Sequence, residues 1–540
     1  MGSVQEVIEC DVLIVGAGLS GIASLYKLRK QGFKAKIIEA GSDFGGTWYW
    51  NRYPGARVDS EIPFYQLAIP EVWKTWEFTQ RFPDQAELRR YFAHVDKICG
   101  LRNDTYFNTR VVKSSWDEDT GHWIVHTDVG LVTKSKYLVV ASGSLDKQYT
   151  PDFPGLADFK GETYHSRTWP ADANLKGKKV AVIGAGATGI QVVQELAKQA
   201  TELTVFIRRP STCLPMCQKD VTKEDQVRQK ASYEKLFRDC RLSWSGFPIR
   251  PGPKAVDLTA EQREAIFEEA WNRGGFAFLV AFSDARTDPV ANRIVYDFWK
   301  KKVRAKISDP VKQEILAPTE PLYYFGTKRS PLEQDYYEML DQDHVKVVSL
   351  RSTPFQRFCS SGVIMEDGSS HNFDALVLAT GFESFTGSYY DLGLKGRQGI
   401  GLQETWAEEI HTNLGLLIRD FPNLFMVFGP QSPTTLYNGP TTVECQSDLV
   451  TALIAKAEEK GAKWVETTKA AEEEWARLLE AQFKQSLVQY TPSWWTRANV
   501  PGAKVQPLTY LGGIMEYEKL CREAIDGGSA GLVYEPCGKI

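Results

Sequence analysis

Val12-Leu13-Ile14-Val15-Gly16-Ala17-Gly18-Leu19-Ser20-Gly21 is an apolar run that ends in a glycine-rich turn, and the pattern returns at Val180-Ala181-Val182-Ile183-Gly184-Ala185-Gly186-Ala187-Thr188-Gly189. Each apolar run reads as a buried parallel strand and each turn as the opening of a helix. Glycine allows the tight turn and lets the backbone approach a pyrophosphate at the helix N-terminus. The two copies differ at the end of the strand that follows. Glu39 comes 18 residues after Gly21, behind Ala35-Lys36-Ile37-Ile38, where a carboxylate accepts from a ribose diol. Arg208 and Arg209 follow Leu203-Thr204-Val205-Phe206-Ile207, beginning 19 residues after Gly189. A cation there suits a 2′-phosphate and cannot accept from a diol. One chain is thus expected to hold two dinucleotides, and FAD with NADPH fits the pair. One cation suffices at that strand end, so Arg209 is also compatible with facing solvent.

The chain has 540 residues, too many for one compact core. Its 64 basic and 68 acidic residues leave a net charge of −4, which argues against nucleic acid as the main partner. No apolar run has the length of a bilayer span. Met1-Gly2-Ser3-Val4-Gln5-Glu6 has neither the basic segment nor the apolar stretch of a secretory signal, and Glu6 replaces the Ser or Thr of an acylation start. A soluble cytoplasmic protein without a membrane partner is expected; oligomeric state stays open, with a monomer as the working expectation. The nine cysteines include no CxxC, and the Cys213/Cys217 spacing matches neither a redox dithiol nor a zinc knuckle. No metal is expected, and electrons must leave the flavin by a route other than a disulfide.

Residues 11–40 read as the first strand–helix–strand unit. A helix begins at Phe82-Pro83-Asp84-Gln85 and runs through Leu88 and Tyr91. Short strands follow around Trp116, at Trp123-Ile124-Val125-His126 and at Leu131-Val132-Thr133. Tyr137-Leu138-Val139-Val140 ends in Ala141-Ser142-Gly143, and Ala375-Leu376-Val377-Leu378 ends in Ala379-Thr380-Gly381. These matched small-residue ends read as the points where the chain crosses between two nucleotide-binding units. Between Asp220 and Pro321 charged and amide side chains dominate, with a capping box at Thr259/Gln262 and Asp309-Pro310 ahead of another helix. Further helices are expected at 444–460 and 469–487. The fold class is α/β: two Rossmann-like dinucleotide-binding domains with a helical insertion in the second. The expected division is 1–143 with 382–540 for FAD, 144–219 with 322–381 for NADPH, and 220–321 for the insertion.

Phe159-Lys160-Gly161-Glu162-Thr163-Tyr164-His165-Ser166-Arg167-Thr168-Trp169-Pro170 has the form FxGxxxHxxxWP. It resembles the fingerprint of type I Baeyer–Villiger monooxygenases; related nitrogen- or sulfur-oxidising flavin monooxygenases carry Tyr or Phe at the place of Trp169. Gly45-Gly46-Thr47-Trp48, Tyr53-Pro54-Gly55 and Asp59 are similar to the family's pattern near the flavin, and the likeness continues through Lys328-Arg329, Ala379-Thr380-Gly381-Phe382, Gly429-Pro430-Gln431 and Trp494.

The resemblance implies non-covalent FAD, NADPH and O2, a ketone substrate, and oxygen insertion by a C4a-peroxyflavin to give an ester or lactone; N- or S-oxidation is the alternative. It gives Arg329 the part of the cation that holds the developing anion, and Asp59 the part of the carboxylate that orients it. Thr47, Trp48, Asp59, Thr188, Lys328, Gln431 and Trp494 join Gly16, Gly18, Gly21, Glu39, Gly184, Gly186, Gly189, Arg208 and Arg209 as expected cofactor contacts. Lys328 is matched to the 2′-phosphate and Trp494 to the nicotinamide ribose, with a core aromatic as the alternative for Trp494. The family often has Gly at the place of Arg497, which loosens the match around Asn499-Val500-Pro501-Gly502. Phe159, Gly161, His165 and Trp169 form an interdomain motif, in which His165 is expected to act as a hinge or hydrogen-bonding group rather than as a base. Pocket walls are expected from Tyr389-Tyr390, residues 432–440 and the Trp494 loop; nothing in the sequence names the ketone.

Overall fold

The structure is a computed structural model that describes residues 7–500, 502–527 and 531–536; Met1–Glu6 and Pro501 of the Trp494 loop lie outside them. Two sheets organise the chain. The first has eight strands. At its centre Val7–Val15 pairs in parallel with Ala35–Ile38 on one side and with Val132–Val140 on the other. Val132-Thr133 and Tyr137–Val140, expected as parts of separate runs, are one continuous strand, because Val7–Val15 supplies partners along its length. An antiparallel meander, Val111–Asp117 and His122–Thr127, extends one edge. Leu424–Met426 returns from the far end of the sequence to pair with Val132–Val140.

The second sheet has five parallel strands, in the order Val345–Ser349, Glu202–Ile207, Lys179–Ile183, Ala375–Leu378 and Glu162–His165. Helices cover both sheets, as βαβ crossovers require. Leu19–Lys30 packs with the long helix Gly439–Glu459 in one apolar core. That long helix begins five residues ahead of the expected Glu444, with Pro440 in its first turn. The helix Lys469–Lys484 stops short of 487, where a separate turn, Leu487–Tyr490, takes over. Gln85–Cys99 starts where expected, with the Asp84 carboxylate accepting from the Glu87 amide. The Thr259/Gln262 capping box is formed in both directions. Aromatic residues of the helical stretch, Phe267, Trp271, Phe298 and Trp299, pack into one core with Val180, Val182 and Val205 of the second sheet.

The small-residue ends meet the glycine turns. A Cβ on Gly16 would lie 2.6 Å from the Ala141 carbonyl oxygen, and one on Gly184 would lie 2.3 Å from that of Ala379. The two crossing segments also hold each other: the Tyr149 amide donates to Gly381, and the Thr380 hydroxyl donates to the Tyr149 carbonyl at 2.6 Å.

Glycines within one turn have different duties. A Cβ on Gly21 would fall 1.9 Å from the Gly16 carbonyl oxygen, whereas one on Gly186 meets nothing within 4 Å. Gly21→Ala is therefore expected to lose about 1–3 kcal/mol or more through forced backbone displacement, and Gly186→Ala to stay near wild type. Thermal unfolding of the two variants side by side checks this; equal midpoints would contradict it.

Candidate functional site

Both helices that follow the glycine turns, Leu19–Lys30 and Ala187–Leu196, begin without a side-chain cap and without an acidic residue in the first turn. Their leading amides are left for a ligand, and the helix dipole favours an anionic one. A Cβ on Gly18 would touch only Gly46, at 3.5 Å from its Cα. Gly18 and Gly46 thus face each other across a gap, and Gly46 opens the short turn Thr47–Trp50. Thr47 is exposed there; buried Trp48 donates its indole N–H to the Tyr65 hydroxyl at 2.9 Å. Glu39 is buried, and its two oxygens accept from the amides of Ala17 (2.7 Å) and Gly41 (2.6 Å). Burial pushes this carboxyl up, and the two amides partly offset that. Each oxygen keeps lone-pair capacity for a diol. The first site fits FAD.

At the second site three cations gather. Arg208 and Arg209 are exposed at the strand end. The Lys328 ammonium stands over the Tyr323 ring, 4.4 Å from its centroid. Tyr323 is anchored to the same strand end, donating to the Pro210 carbonyl at 2.9 Å and accepting from the Thr212 amide at 3.1 Å. Burial, then the positive charges of Arg209 and Arg208, lower the Lys328 ammonium to about 8. Among the described residues no carboxylate forms a salt bridge with any of the three. A cluster of like charges without a counterion fits the 2′-phosphate of NADPH.

Between the two sites lies an ion pair. Arg329 donates from Nε to Asp59 Oδ2 at 2.6 Å and from Nη2 to Asp59 Oδ1 at 2.8 Å. Nη2 also reaches Ser60 Oγ at 3.3 Å, and Nη1 donates to the Thr435 carbonyl at 3.0 Å. The guanidinium lies 4.7 Å from the Phe276 ring centroid. Burial lowers its pKa, but the charge and hydrogen bonds of Asp59 outweigh this, so it is raised overall and the cation is secure. One Nη1 hydrogen keeps no acceptor among the described residues.

The loop that carries Asp59 is seated on the second unit. The Tyr53 hydroxyl donates to Gln191 Oε1 at 3.0 Å, and Gln191 Nε2 donates to the Arg57 carbonyl at 2.8 Å. Burial pushes the Tyr53 phenol up to about 12. Thr188 faces this same phenol as a hydrogen-bonding neighbour.

The motif residues lie at the crossing. His165 ends the strand Glu162–His165; its Nδ1 accepts from the Arg167 amide at 3.1 Å and its ring meets Phe382 edge-on at 6.0 Å. Burial lowers its pKa, partly opposed by the carbonyls of Gly381 and Tyr149, so the ring is neutral near pH 7. Trp169 stacks on Tyr164 at 5.2 Å, and Phe159 packs on Phe373 at 5.0 Å. A Cβ on Gly161 would strike the Asp374 carbonyl at 2.4 Å.

Two expected site residues are otherwise employed. Gln431 is buried; its Oε1 accepts from the Thr412 amide and hydroxyl at 2.9 Å, and its Nε2 donates to Ile410. Its side chain ties one loop to another. Tyr389 is also buried, packed on Trp406 within the core beneath the first sheet, and is no pocket wall. Trp494 is half-buried, 5.5 Å from Phe385. Arg497 adopts a left-handed φ of 59°, the conformation that glycine takes at least cost. Of residues 432–440, Thr435 touches Arg329 through its carbonyl. Sequence reading missed Phe276, Ser60 and Tyr65. The Gly274-Gly275 pair ahead of Phe276, both at positive φ, was a turn signal that could have flagged the segment.

The chain matches the pyridine nucleotide-disulphide oxidoreductase family over residues 10–231, although the eight described cysteines are free. It is 39% identical to the FAD-binding monooxygenase acrE of Aspergillus aculeatus, covering 97% of this chain and 89% of that protein. It is 39% identical to cyclopentanone 1,2-monooxygenase of Comamonas sp., covering 97% and 95% respectively. Among solved structures, cyclohexanone monooxygenase from Rhodococcus sp. Phi1 bound to NADP+ superposes with a TM-score of 0.94 at 35% identity, covering 98% of this chain and 100% of that one.

The Lys328 ammonium gives the second site a pH signature. Only the protonated form attracts phosphate, so NADPH affinity is expected to be highest below pH 8 and to fall as pH rises through the lysine's value of about 8. NADH affinity should stay flat over that range. Lys328→Met should remove the bend and weaken NADPH binding roughly ten- to a hundredfold, the worth of a charge-assisted contact. Titration of both coenzymes from pH 7 to 9 checks this; a parallel decline for NADH would refute it.

Proposed function

Because the chain belongs to the type I Baeyer–Villiger monooxygenases, we propose that Arg329 and Asp59 form its oxygen-insertion centre. The enzyme is an NADPH- and O2-dependent flavin monooxygenase that inserts one oxygen atom beside a ketone carbonyl to give an ester or lactone. N- or S-oxidation has weaker support. FAD supplies the oxygen-activating flavin and NADPH the hydride that reduces it.

The observation that carries the assignment is the bidentate Asp59–Arg329 pair with one Nη1 hydrogen left over. Oxygen insertion places negative charge on the former carbonyl oxygen. A fixed guanidinium hydrogen stabilises that charge without having to reorient during the reaction. Asp59 holds the planar fork in one orientation, and Ser60 and the Thr435 carbonyl fix its remaining edges. Phe276 beneath the guanidinium excludes water from one face.

Gly16, Gly18, Gly21, Glu39, Thr47 and Trp48 hold FAD in this reading. Gly184, Gly186, Thr188, Gly189, Arg208, Arg209, Lys328 and Trp494 hold NADPH. The FAD domain is 1–143 with 382–540, the NADPH domain 144–219 with 322–381, and 220–321 is an insertion in the second. His165, Trp169, Phe159 and Gly161 act at the link between domains. The reading further takes the protein as a cytoplasmic monomer acting on a small ketone; no helix of the described residues is long and apolar enough to cross a membrane.

Arg329→Ala is expected to bind FAD, to be reduced by NADPH, and to release hydrogen peroxide in place of ester, with oxygen insertion slowed about 10²–10³-fold. Asp59→Ala should show the same phenotype in milder form. Stopped-flow reduction with product analysis checks both; near-normal ester yield from Arg329→Ala would remove it from the mechanism. His165→Ala should keep FAD and produce less ester per NADPH oxidised, and wild-type coupling in that variant would leave His165 a packing role only.

A further inference from the structure

Arg286 is a half-buried guanidinium that makes no hydrogen bond or salt bridge among the described residues. The carboxylates nearest to it in sequence are turned elsewhere. Asp284 accepts from the amides of Ala255 (2.9 Å) and Val256 (3.3 Å), and Asp288 caps the helix Pro289–Arg304 through the amides of Val290 and Ala291. Burial lowers the Arg286 pKa, and the Tyr437 hydroxyl alone opposes it. An arginine stays charged even so, and a desolvated cation without a counterion is costly.

Its position ties it to the oxygen-insertion centre. The Arg286 stem lies beside Gly326: a Cβ there would be 3.9 Å from Arg286 Cγ. Gly326 is three residues before Arg329, a span of at most roughly 11 Å of extended chain. The guanidinium stands over the Trp244 ring, 5.1 Å from its centroid, and Trp244 packs on Tyr437 at 5.3 Å. Tyr437 is two residues beyond Thr435, whose carbonyl holds Arg329. An aromatic wall joins the two cations. Phe276 lies under Arg329, Phe247 packs on Phe276 at 5.9 Å, and Trp244, in the same segment as Phe247, lies under Arg286. Trp244 is 36% exposed, so this end of the wall is open. Arg329 has its own carboxylate; Arg286 has none.

We propose that Arg286 is a specificity-determining residue that receives a carboxylate carried by the ketone substrate at the end remote from the reacting carbonyl. The inference rests on the ketone-oxidising reading above. The aromatic wall takes the apolar stem that joins carbonyl and carboxylate, and the planar fork of arginine matches a carboxylate in two parallel hydrogen bonds. A site built to pair a charge rejects the uncharged analogue by leaving that charge unpaired.

The test uses FAD-loaded enzyme with NADPH and a series of straight-chain methyl ketones ending in a carboxylate, each beside its methyl ester. Wild type should prefer at least one acid over its ester by about tenfold or more in kcat/KM. Arg286→Gln should bring that ratio close to one while turnover of the methyl esters is unchanged, and Arg286→Lys should keep part of the preference. Binding of the same acids and esters to the oxidised enzyme, followed by flavin fluorescence, should give the same ratios without turnover. Equal ratios in wild type and Arg286→Gln would overturn the proposal. So would a loss of NADP+ affinity in Arg286→Gln with the acid/ester ratio retained, since the cation would then serve the coenzyme. If no ketone, neutral ones included, gave ester, the monooxygenase reading would fall instead, and the binding ratios would still decide the role of Arg286.

Discussion

The bidentate pair between Asp59 and Arg329 joins residues 270 positions apart in the chain, and it forms only if several other placements hold. Asp59 hangs from a loop whose Tyr53 and Arg57 are bonded to Gln191, on the helix after the second glycine turn. Arg329 comes from the segment that leads the chain back from the helical stretch, and its third anchor is a carbonyl at Thr435. Three stretches of chain therefore have to dock before one guanidinium is oriented. A half-buried ion pair contributes little net stability by itself, because desolvation offsets most of the attraction. Its consequence is geometric: any slip between the two sheets is felt at Arg329 before it is felt in the cores.

What could be read from the sequence was local. Strand, glycine turn, helix and the residue at the next strand end lie within about thirty residues of one another, and the physics that selects them acts over that distance. The strand-turn-helix order, and the standing of Glu39 and Arg208 at the ends of the next strands, were legible for this reason. Gln431 and Tyr389 were not. Their side-chain directions depend on Thr412, Ile410 and Trp406, which adjoin them only in the fold. Phe276 and Arg286 were illegible for a related reason. They belong to a stretch whose composition signals helices, and nothing within it says that its loops return to the mouth of another unit. Arg497 is an intermediate case. The expected glycine is absent, yet the backbone keeps a positive φ of 59°, so the turn is imposed by its surroundings rather than by residue choice.

The crossing between the sheets is narrow. Two segments pass there, paired at Tyr149 with Gly381 and at Thr380 with Tyr149, and His165 packs its ring on Phe382 of the returning one. The glycine turns press on the strand ends from which these segments depart. A rotation of one sheet against the other would change the approach at Ala141 and at Ala379, so the floor of each dinucleotide site is mechanically continuous with the link. This continuity is the route by which, in the proposed reading, His165 and Trp169 bear on events at the Asp59–Arg329 pair.

The cations divide by whether the chain supplies their counterion. With a net charge of only −4 and acidic residues in slight excess, carboxylates were available for every arginine and lysine. Arg329 received one, with two hydrogen bonds. Arg208, Arg209, Lys328 and Arg286 did not, and Lys328, lowered by burial and then by the charges of Arg209 and Arg208, has no carboxylate to offset the shift. Leaving a cation unpaired in a partly desolvated place raises the free energy of the empty enzyme, and a ligand that brings the missing charge recovers that energy on binding. In the proposed reading the paired guanidinium acts on charge that appears during the reaction, and the unpaired ones answer to charge that the ligands already carry.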